Sequence, residues 1–229
     1  MSYGPEPTQF KIFLDTASIK EVNEFSSWGI IDGVTTNQKI FLNEGAVDFK
    51  SRVLDICRAV NGPVSVETTT TGLTNLIEEA KSYAAWHENI VIKVAMFGNG
   101  DGLRVVHELT RQGIKTNMTV MMNLNQLLLA SKAGATYVSL FYNRAKDAKE
   151  DPVKIIEQYA KTAREGKAAR LIVGSIRSPD DVSTALAAGA HIVTVPPVHL
   201  RKMVMHPKTD ETIKEFDDAW KRFTELSTK

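Results

Sequence analysis

Short apolar segments alternate with amphipathic segments along most of the chain. Eight apolar segments are rich in β-branched residues and show little polar alternation, which is typical of strands buried on both faces. These predicted strands cover residues 11–15, 31–36, 63–67, 89–94, 115–121, 136–141, 170–174 and 191–195. Apolar residues at helical spacing predict intervening helices over residues 18–27, 48–60, 74–86, 103–111, 124–133, 152–165, 179–188 and 198–206. The alternation predicts an α/β fold with a parallel sheet.

Eight strand–helix units favour a (β/α)8 TIM barrel over an open doubly wound sheet. A length of 229 residues suits a single-domain barrel, and no linker or break in composition separates a second domain. We therefore expect one barrel domain over residues 10–229, preceded by a flexible tail over residues 1–9. Pro5 and Pro7 block regular structure in that tail.

An additional amphipathic helix is predicted over residues 210–226, beyond the eighth unit. Phe216, Trp220 and Phe223 lie roughly on one of its faces. That face is too apolar for a free tail, so we expect it to pack either on the barrel or on a neighbouring subunit. The pattern leaves both arrangements open.

Composition excludes several functional classes. The 28 basic and 27 acidic residues give no overall attraction to nucleic acid or anionic membranes. No apolar run approaches the roughly 20 residues of a membrane span, and the polar start of the chain has no signal-peptide core. We therefore expect a cytoplasmic protein. The single cysteine, Cys57, excludes an intramolecular disulfide, and the histidines show no metal-ligand spacing, so no metal is expected.

A lysine interrupts the apolar fourth strand. Lys93 lies in the run Ile-Val-Ile-Lys-Val-Ala, where an ammonium is costly without a partner. Burial disfavours the charged form of a lysine, and a neutral amine can attack a ketone to form a Schiff base. Lys93 is therefore a candidate nucleophile, although a lysine near a strand end can also simply reach solvent.

Polar residues cluster where the other predicted strands end. In a barrel of this kind, reactive side chains lie at the carboxyl ends of the strands. Those ends carry two carboxylates, several hydroxyls and amides, and two arginines: Asp15, Asn37, Glu67, Asn117, Thr119, Ser139, Arg144, Ser175 and Arg177. Their joint placement with Lys93 on one predicted face indicates a catalytic site.

This set of side chains has a chemical logic. An imine on Lys93 would act as an electron sink for breaking or forming the neighbouring carbon–carbon bond. Asp15 and Glu67 are suited to proton transfer, one directly and one through a water that Thr119 would hold. The arginines are suited to a terminal phosphate or sulfonate, and the amides and Ser139 to sugar hydroxyls.

Each residue also has a purely structural interpretation. Asp15 can cap the first helix, and Glu67 can be a solvated strand end. Arg177 can belong to the start of a helix. The joint placement of the set on one face is what favours the catalytic interpretation.

Several motifs occur in a fixed order between about residue 10 and residue 223. They are Phe13-Leu-Asp-Thr-Ala17, Asp32-Gly-Val-Thr-Thr-Asn37, Lys93, Asn117-Met-Thr119, Lys132-Ala-Gly-Ala135, Val195-Pro-Pro197 and His206-Pro-Lys-Thr-Asp210. The combination resembles the small transaldolase family, which includes the fructose-6-phosphate aldolases. The resemblance implies a TIM barrel that acts on sugar phosphates without a metal or an organic cofactor. It also implies a homo-oligomer, a pentamer or decamer, in which the C-terminal helix reaches a neighbouring subunit.

The resemblance also implies roles for individual residues. Lys93 corresponds to the Schiff-base lysine, Asp15 and Glu67 to the acid/base carboxylates, and Thr119 to the residue that orients the catalytic water. The implied substrate contacts are Asn37, Asn117 and Ser139 for the ketose, Phe141 beside them, and Arg144, Ser175 and Arg177 for the phosphate.

Two positions favour the transaldolase branch of the family over the aldolase branch. Transaldolases place a glutamate at the end of the third strand, as in Glu67, and a phenylalanine two residues after the serine of the sixth strand, as in Phe141. Aldolases place glutamine and tyrosine there. Asn143, which precedes Arg144, instead resembles the aldolase branch.

The chain departs from the family pattern around the site. The usual proline after the asparagine of the second strand is Gln38, followed by Lys39. Residues 94–97 replace the usual Ile-Pro-Met-Thr, residues 121–123 replace Val-Phe-Ser, and Tyr142 is bulkier than the usual valine. These changes leave the lysine chemistry in place and predict a ketose or acceptor other than the sedoheptulose and erythrose phosphate pair.

Four functions are compatible with these patterns. The first is a transaldolase that moves a dihydroxyacetone unit from a ketose phosphate to an aldose phosphate. The second is a lyase that releases free dihydroxyacetone, and the third is a transferase whose substrate carries a sulfonate or another anion. The fourth is a non-catalytic sugar-phosphate binder, which would not need Lys93 beside two carboxylates.

Overall fold

The computed structural model of the chain describes residues 10–45, 47–162 and 168–227. Eight parallel strands form a closed barrel in chain order, and the first strand pairs with the eighth. The strands are β1 (Lys11–Asp15), β2 (Gly33–Thr35), β3 (Val64–Glu67), β4 (Ile90–Ala95), β5 (Thr116–Met121), β6 (Tyr137–Phe141), β7 (Arg170–Gly174) and β8 (Ile192–Val195). The predicted TIM barrel is therefore confirmed.

Helices surround the barrel and follow its strands. They are α1 (Ile19–Ser27), α2 (Gln38–Asn43), α3 (Phe49–Ala59), α4 (Leu73–Ala84), α5 (Asp101–Arg111), α6 (Leu124–Ala133), α7 (Tyr142–Asp147), α8 (Pro152–Thr162), α9 (Pro179–Ala187), α10 (Pro197–Met203) and α11 (Pro207–Ser227). Most bounds lie within two residues of the predicted ones, while α11 starts three residues earlier. The predicted tail over 1–9 and the predicted end of α8 lie outside the described residues.

Two short helices, α2 and α7, are absent from the sequence prediction. Each has six residues, and α2 buries none of them, so it leaves no apolar periodicity in the sequence. The helix α7 begins directly after β6, with no glycine or proline to separate the two. Both helices follow the carboxyl ends of strands, and both contribute side chains to the cavity described below.

Apolar side chains fill the lower part of the barrel interior. Phe13, Ile172 and Ile192 form a buried cluster there, and Tyr137 packs against it. The rings of Phe13 and Tyr137 meet edge to face at 6.3 Å between centroids. A larger apolar core lies between the strands and the surrounding helices. Within the barrel, space for polar chemistry therefore remains at the carboxyl end.

The C-terminal helix α11 is present as predicted, but none of its residues is buried. The exposed fractions of Phe216, Trp220 and Phe223 are 69%, 65% and 57%. Of the two arrangements expected for this face, packing on the barrel of the same chain is therefore wrong. No helix among the described residues is long and apolar enough to cross a membrane.

Gly62 lies just before the start of β3 and packs closely against the backbone of Asp32. A Cβ atom at this position would lie 1.8 Å from the carbonyl oxygen of Asp32. Asp32 cannot easily move, because its amide donates to Ile12 O at 2.8 Å and its carboxylate accepts from Ile12 N at 3.0 Å. We expect Gly62→Ala to cost about 1–3 kcal/mol of unfolding free energy, measured by chemical denaturation.

Gly98→Ala is the matched control, since a Cβ there meets nothing within 4 Å. We expect the control to unfold like the wild type. An equal effect of the two substitutions would contradict the packing argument.

Candidate active site

A cavity of about 760 Å³ opens at the carboxyl end of the barrel. Its walls include ten of the eleven predicted site residues: Asp15, Asn37, Glu67, Lys93, Asn117, Thr119, Ser139, Phe141, Arg144 and Ser175. The eleventh, Arg177, is not among the residues that line it. The strand ends thus bring together side chains that lie up to 160 positions apart in the chain.

Lys93 lies on β4 at the base of this cavity and is only 5% exposed. Its Nζ atom is 3.1 Å from Glu67 Oε2 and donates to the carbonyl oxygen of Thr36 at 2.9 Å. Glu67 and Lys93 are register partners on adjacent strands, so the barrel itself sets their separation. These two partners explain how the interior accommodates a lysine.

Asp15 ends β1 and lies within the electrostatic reach of Lys93. Burial raises the pKa of the Asp15 carboxyl above its ordinary value. The charge of Lys93 and a hydrogen bond from Thr35 Oγ1 at 2.7 Å offset this pKa rise only in part, and the charge of Glu67 adds to it. A carboxyl group with a raised pKa is suited to holding and returning a proton.

Thr35 and Thr194 support Asp15 from the neighbouring strands. The Thr35 hydroxyl is hydrogen-bonded to both the Asp15 carboxylate and the Thr194 hydroxyl. Neither Thr35 nor Thr194 was assigned a role from the sequence. The available signal was that Thr194 is a polar residue within an otherwise apolar strand.

Asn117 and Ser139 form a fixed polar floor beside Lys93. Ser139 Oγ donates to Asn117 Oδ1 at 2.7 Å, and Asn117 Nδ2 donates to Ser65 Oγ at 3.2 Å. All three side chains are buried. Asn117 is also the register partner of Lys93 on β5. The floor therefore holds an amide N–H and hydroxyl oxygens in set positions for a polyhydroxylated ligand.

Thr119 lies in an irregular part of β5. The pairing register of β5 with β6 shifts between Met118 and Met121, and Val120 has a φ of 61°. A β-branched residue in this left-handed region is strained, and such strain tends to occur at functional sites. The irregular segment carries Thr119 into the cavity wall, where its buried hydroxyl has no hydrogen-bond partner within the described chain.

The side of the cavity near β6 and β7 carries a positive charge. The Arg144 guanidinium lies 5.4 Å from the centroid of the Phe141 ring, and Ser175 follows β7 with a φ of 60°. Asn143 fixes this region by donating to Ser175 O at 2.9 Å and to Asp181 Oδ2 at 2.7 Å. From the sequence, Asn143 only resembled the aldolase branch of the family, and this structural role was not predicted.

The Arg177 side chain forms an ion pair with Asp147 and does not line the cavity. Its two terminal guanidinium nitrogens both donate to the carboxylate of Asp147 on α7. The Arg177 amide donates to Asp181 Oδ2 at 2.9 Å, so the backbone of this turn is also anchored. The structure thus leaves the Arg177 side chain beyond the cavity walls, in an exposed ion pair.

Asn37 and Gln38 connect the cavity to α2. Asn37 Oδ1 accepts the amide of Ile40 and caps this helix, and Asn37 also lines the cavity. Gln38 Nε2 donates to Thr68 O at 3.0 Å, and the amide of Thr68 donates to Lys93 O at 3.0 Å. The loops after β2 and β3 are therefore tied to the strand that carries Lys93.

Glu79 on α4 holds the loop that follows Glu67. Its carboxylate accepts from the amides and hydroxyls of both Thr69 and Thr70, and from the Tyr83 hydroxyl at 2.7 Å. Partial burial opposes the charge on Glu79, but these donors outweigh it and lower the pKa to about 2. The role of Glu79 as an anchor of this loop was not predicted from the sequence.

Glu79→Gln tests the anchor, because glutamine keeps the shape and loses the charge. We expect the free energy of unfolding to fall by about 1 kcal/mol near neutral pH and the Tm to fall by roughly 2–4 °C. The value is small because solvent screens the charge in this exposed loop. A carboxylate with a pKa of about 2 when folded and its ordinary 4.5 when unfolded stabilises fully above 4.5. This stabilisation is lost as the pH falls from 4.5 towards 2.

Thermal unfolding of both proteins at about pH 7 and about pH 3 measures the effect. The Tm difference should be smaller at the lower pH. Glu78→Gln, an exposed neighbour on the same helix, should show no difference at either pH. A Tm difference for Glu79→Gln that stays constant with pH would contradict the role of the Glu79 charge in anchoring the loop.

The fold and the cavity define a TIM-barrel protein with a buried lysine that pairs with one carboxylate, Glu67, and lies within the electrostatic reach of a second, Asp15. A family model described as Transaldolase/Fructose-6-phosphate aldolase matches residues 12–229. The chain belongs to this family, so the resemblance expected from the motifs is confirmed.

Named relatives agree with the family match. A protein named probable transaldolase from Streptococcus equi subsp. zooepidemicus is 39% identical over 214 residues, covering 93% of this chain and 99% of that protein. A probable transaldolase from Thermoanaerobacter sp. is 42% identical over 213 residues, covering 93% and 97%. Probable transaldolase 2 from Listeria monocytogenes is 41% identical over 216 residues, covering 94% and 98%.

Proposed function

We propose that the protein is a transaldolase-type transferase of carbohydrate metabolism, working in the cytoplasm in reactions of the pentose phosphate type. It moves a dihydroxyacetone unit from a ketose phosphate, such as fructose 6-phosphate or sedoheptulose 7-phosphate, to an aldose phosphate. The observation that carries this proposal is the position of Lys93 Nζ, buried at the cavity base and 3.1 Å from the Glu67 carboxylate.

The proposed reaction begins with a Schiff base. Glu67 takes a proton from the Lys93 ammonium, and the resulting amine adds to the C2 carbonyl of the ketose. A proton returned to the carbinolamine hydroxyl lets water leave and gives an iminium ion. A carboxylate then takes the proton of the C4 hydroxyl, and the C3–C4 bond breaks. The electron pair of that bond moves into the iminium. The aldose phosphate leaves as the aldehyde, and a neutral enamine stays on Lys93.

The acceptor reverses these steps. The enamine carbon attacks the aldehyde of the second sugar, a proton returns to the new hydroxyl, and water releases the new ketose phosphate and the free amine. Asp15 is our choice for the proton transfer at the C4 hydroxyl, because its pKa is raised and it faces Lys93. Glu67 contacts the amine directly and suits proton transfer at the carbinolamine, with a water held by Thr119.

The anionic end of the substrate is assigned to the β6–β7 side of the cavity. Arg144 supplies the charge there, and Ser175 supplies a hydroxyl. Arg177 was also assigned to the phosphate from the sequence. It would have to leave Asp147 to reach the cavity, so we give it a secondary part in binding.

Two alternatives remain within the same chemistry. A lyase would release dihydroxyacetone to water, whereas a transferase would keep the enamine until an acceptor arrives. Measuring free dihydroxyacetone from fructose 6-phosphate, with and without erythrose 4-phosphate, separates the two. Glu67 and Phe141 favour the transferase, as they do in the sequence pattern. Arg144 suits a sulfonated ketose equally well, so such a sugar belongs in the same assay.

We also propose a homo-oligomer, a pentamer or decamer, with α11 packed on a neighbouring subunit. The support is the exposed apolar face of α11, where the rings of Trp220 and Phe223 stack at 5.4 Å. A monomer in analytical ultracentrifugation would overturn this part of the proposal.

Borohydride trapping tests the Schiff base. Fructose 6-phosphate plus borohydride should add a stable mass to the wild type, because the reduced imine cannot hydrolyse. Lys93→Met should add none, and Lys81→Met, which removes an exposed lysine of α4, should behave like the wild type. Intact-mass spectrometry reads all three, and an adduct that survives in Lys93→Met would refute the assignment.

Kinetics of two arginine variants test the anion site. Arg144→Gln should raise the KM for fructose 6-phosphate by about tenfold or more, since it removes a charged contact to the phosphate. Arg177→Gln should raise that KM by less, because Arg177 already pairs with Asp147. A larger effect of Arg177→Gln would reverse the assignment of the two arginines.

A further inference from the structure

Two threonine hydroxyls connect Asp15 to the eighth strand. Thr35 Oγ1 donates to Asp15 Oδ1 at 2.7 Å, and the same oxygen is hydrogen-bonded to Thr194 Oγ1. Asp15 and Thr35 are register partners on β1 and β2, while Thr194 lies on β8, which pairs with the other edge of β1. Both threonines line the cavity, although only 2% of Thr35 and 6% of Thr194 is exposed. The three side chains therefore form a buried row across three consecutive strands.

The number of protons fixes the direction of this hydrogen-bonded row. A hydroxyl carries one proton and donates one hydrogen bond at a time. When Asp15 is ionised, its carboxylate can only accept, so the Thr35 proton is directed to Asp15 Oδ1. The bond between the two hydroxyls then uses the proton of Thr194. Thr194 is thus the donor to Thr35, and Thr35 is the donor to Asp15.

Packing against β7 fixes the orientation of Thr194. A Cβ atom added at Gly174 would lie 3.2 Å from Thr194 Cγ2, so the methyl group of Thr194 lies against this glycine. The χ1 angle of a β-branched side chain is restricted, and here the methyl contact holds it. The Thr194 hydroxyl consequently stays directed towards Thr35.

This geometry leaves one oxygen of the Asp15 carboxylate for chemistry. Thr35 donates to Oδ1, and no donor among the described residues reaches Oδ2. We propose that Thr194 is a positioning residue, which directs the Thr35 proton onto Asp15 Oδ1 and so leaves Oδ2 to take the proton of the substrate hydroxyl. The inference rests on the proposed function, in which Asp15 takes the proton of the C4 hydroxyl. Thr194 acts through Thr35 and has no contact with the substrate.

The groups that face Asp15 determine how the loss of Thr194 would change its titration. Lys93 on β4 favours the ionised carboxylate, while burial and Glu67 on β3 disfavour it. The neighbouring strands β2 and β8 face it with the two threonine hydroxyls. The hydrogen bond from Thr35 lowers the pKa of Asp15, so a weaker bond raises that pKa. The other charged residues of the described cavity wall are Glu21 on α1, Lys39 on α2, Glu44 after α2 and Arg144 on α7.

The pH dependence of fructose 6-phosphate cleavage tests the role of Thr194. Thr194→Val keeps the shape and the methyl contact and loses the hydroxyl, and it should lower kcat about tenfold with KM changed less than about twofold. The acid limb of kcat/KM should move to higher pH, because Asp15 must be ionised to take the proton and its pKa rises. Thr194→Ser keeps the hydroxyl and should restore both kcat and the pH profile.

Thr116→Val is the matched control. Thr116 is a fully buried threonine of β5 that does not line the cavity, and its hydroxyl has no hydrogen-bond partner within the described chain. The control should keep the kcat, the KM and the pH profile of the wild type. Equal effects of Thr116→Val and Thr194→Val would overturn the proposal, and so would an unchanged kcat and pH profile in Thr194→Val.

A double variant tests whether Thr194 acts through Thr35. Thr35→Val removes the hydrogen bond to Asp15 itself, so adding Thr194→Val to it should cause no further loss of kcat. Losses that multiply in the double variant, or a raised KM in Thr194→Val, would mean that Thr194 contacts the substrate directly. Either result would overturn the positioning role.

Borohydride trapping of dihydroxyacetone separates this proposal from the proposed function. Trapping requires the imine on Lys93 and no cleavage of a C3–C4 bond, so Thr194→Val should trap as much as the wild type. Equal trapping also shows that the variant is folded at the site. If the wild type traps neither dihydroxyacetone nor fructose 6-phosphate, the proposed function fails and the role of Thr194 fails with it. If the wild type traps both and Thr194→Val has the wild-type kcat and pH profile, only the positioning role is wrong.

Discussion

The ion pair between Lys93 and Glu67 is the interaction on which the site depends. It joins two register partners on adjacent strands, so its geometry follows from the closure of the barrel. A buried amine without this carboxylate would carry the full cost of desolvation, and the same holds for the carboxylate without the amine. The proposed function uses the same pair as nucleophile and proton acceptor, which would link the stability of the fold to its chemistry.

The loops after β2 and β3 are connected to this pair by hydrogen bonds with Lys93. Thr36 O accepts from Lys93 Nζ, and Thr68 N donates to Lys93 O. Gln38 reaches across from α2 to Thr68, and Glu79 fixes the two residues that follow Thr68. The loops after β2 and β3 thus form one connected rim.

Much of the architecture could be predicted from the sequence, because β-branched strands and amphipathic helices alternate eight times. The placement of Lys93, Asp15 and Glu67 was also predictable, since the carboxyl ends of barrel strands share one face. The short helices α2 and α7 were not, because α2 buries none of its six residues and α7 follows β6 directly, so neither leaves a separate periodic signal. Their side chains nevertheless shape two sides of the cavity.

Other features depend on tertiary contacts that no local pattern encodes. The pairing of Arg177 with Asp147 joins residues 30 positions apart, and it decides which arginine lines the cavity. The support of Asp15 by Thr35 and Thr194 likewise spans β1, β2 and β8, and appears only when the barrel closes. For such residues, the sequence shows which chemical groups are present but does not predict which residues they contact.

The most direct test of the central claim is a crystal structure of the protein after reduction with borohydride in the presence of fructose 6-phosphate. The account predicts continuous density from Lys93 Nζ to C2 of the trapped sugar unit, with Glu67 and Asp15 facing the adduct. A free Lys93 still paired with Glu67, beside a sugar bound without a covalent link, would contradict the account.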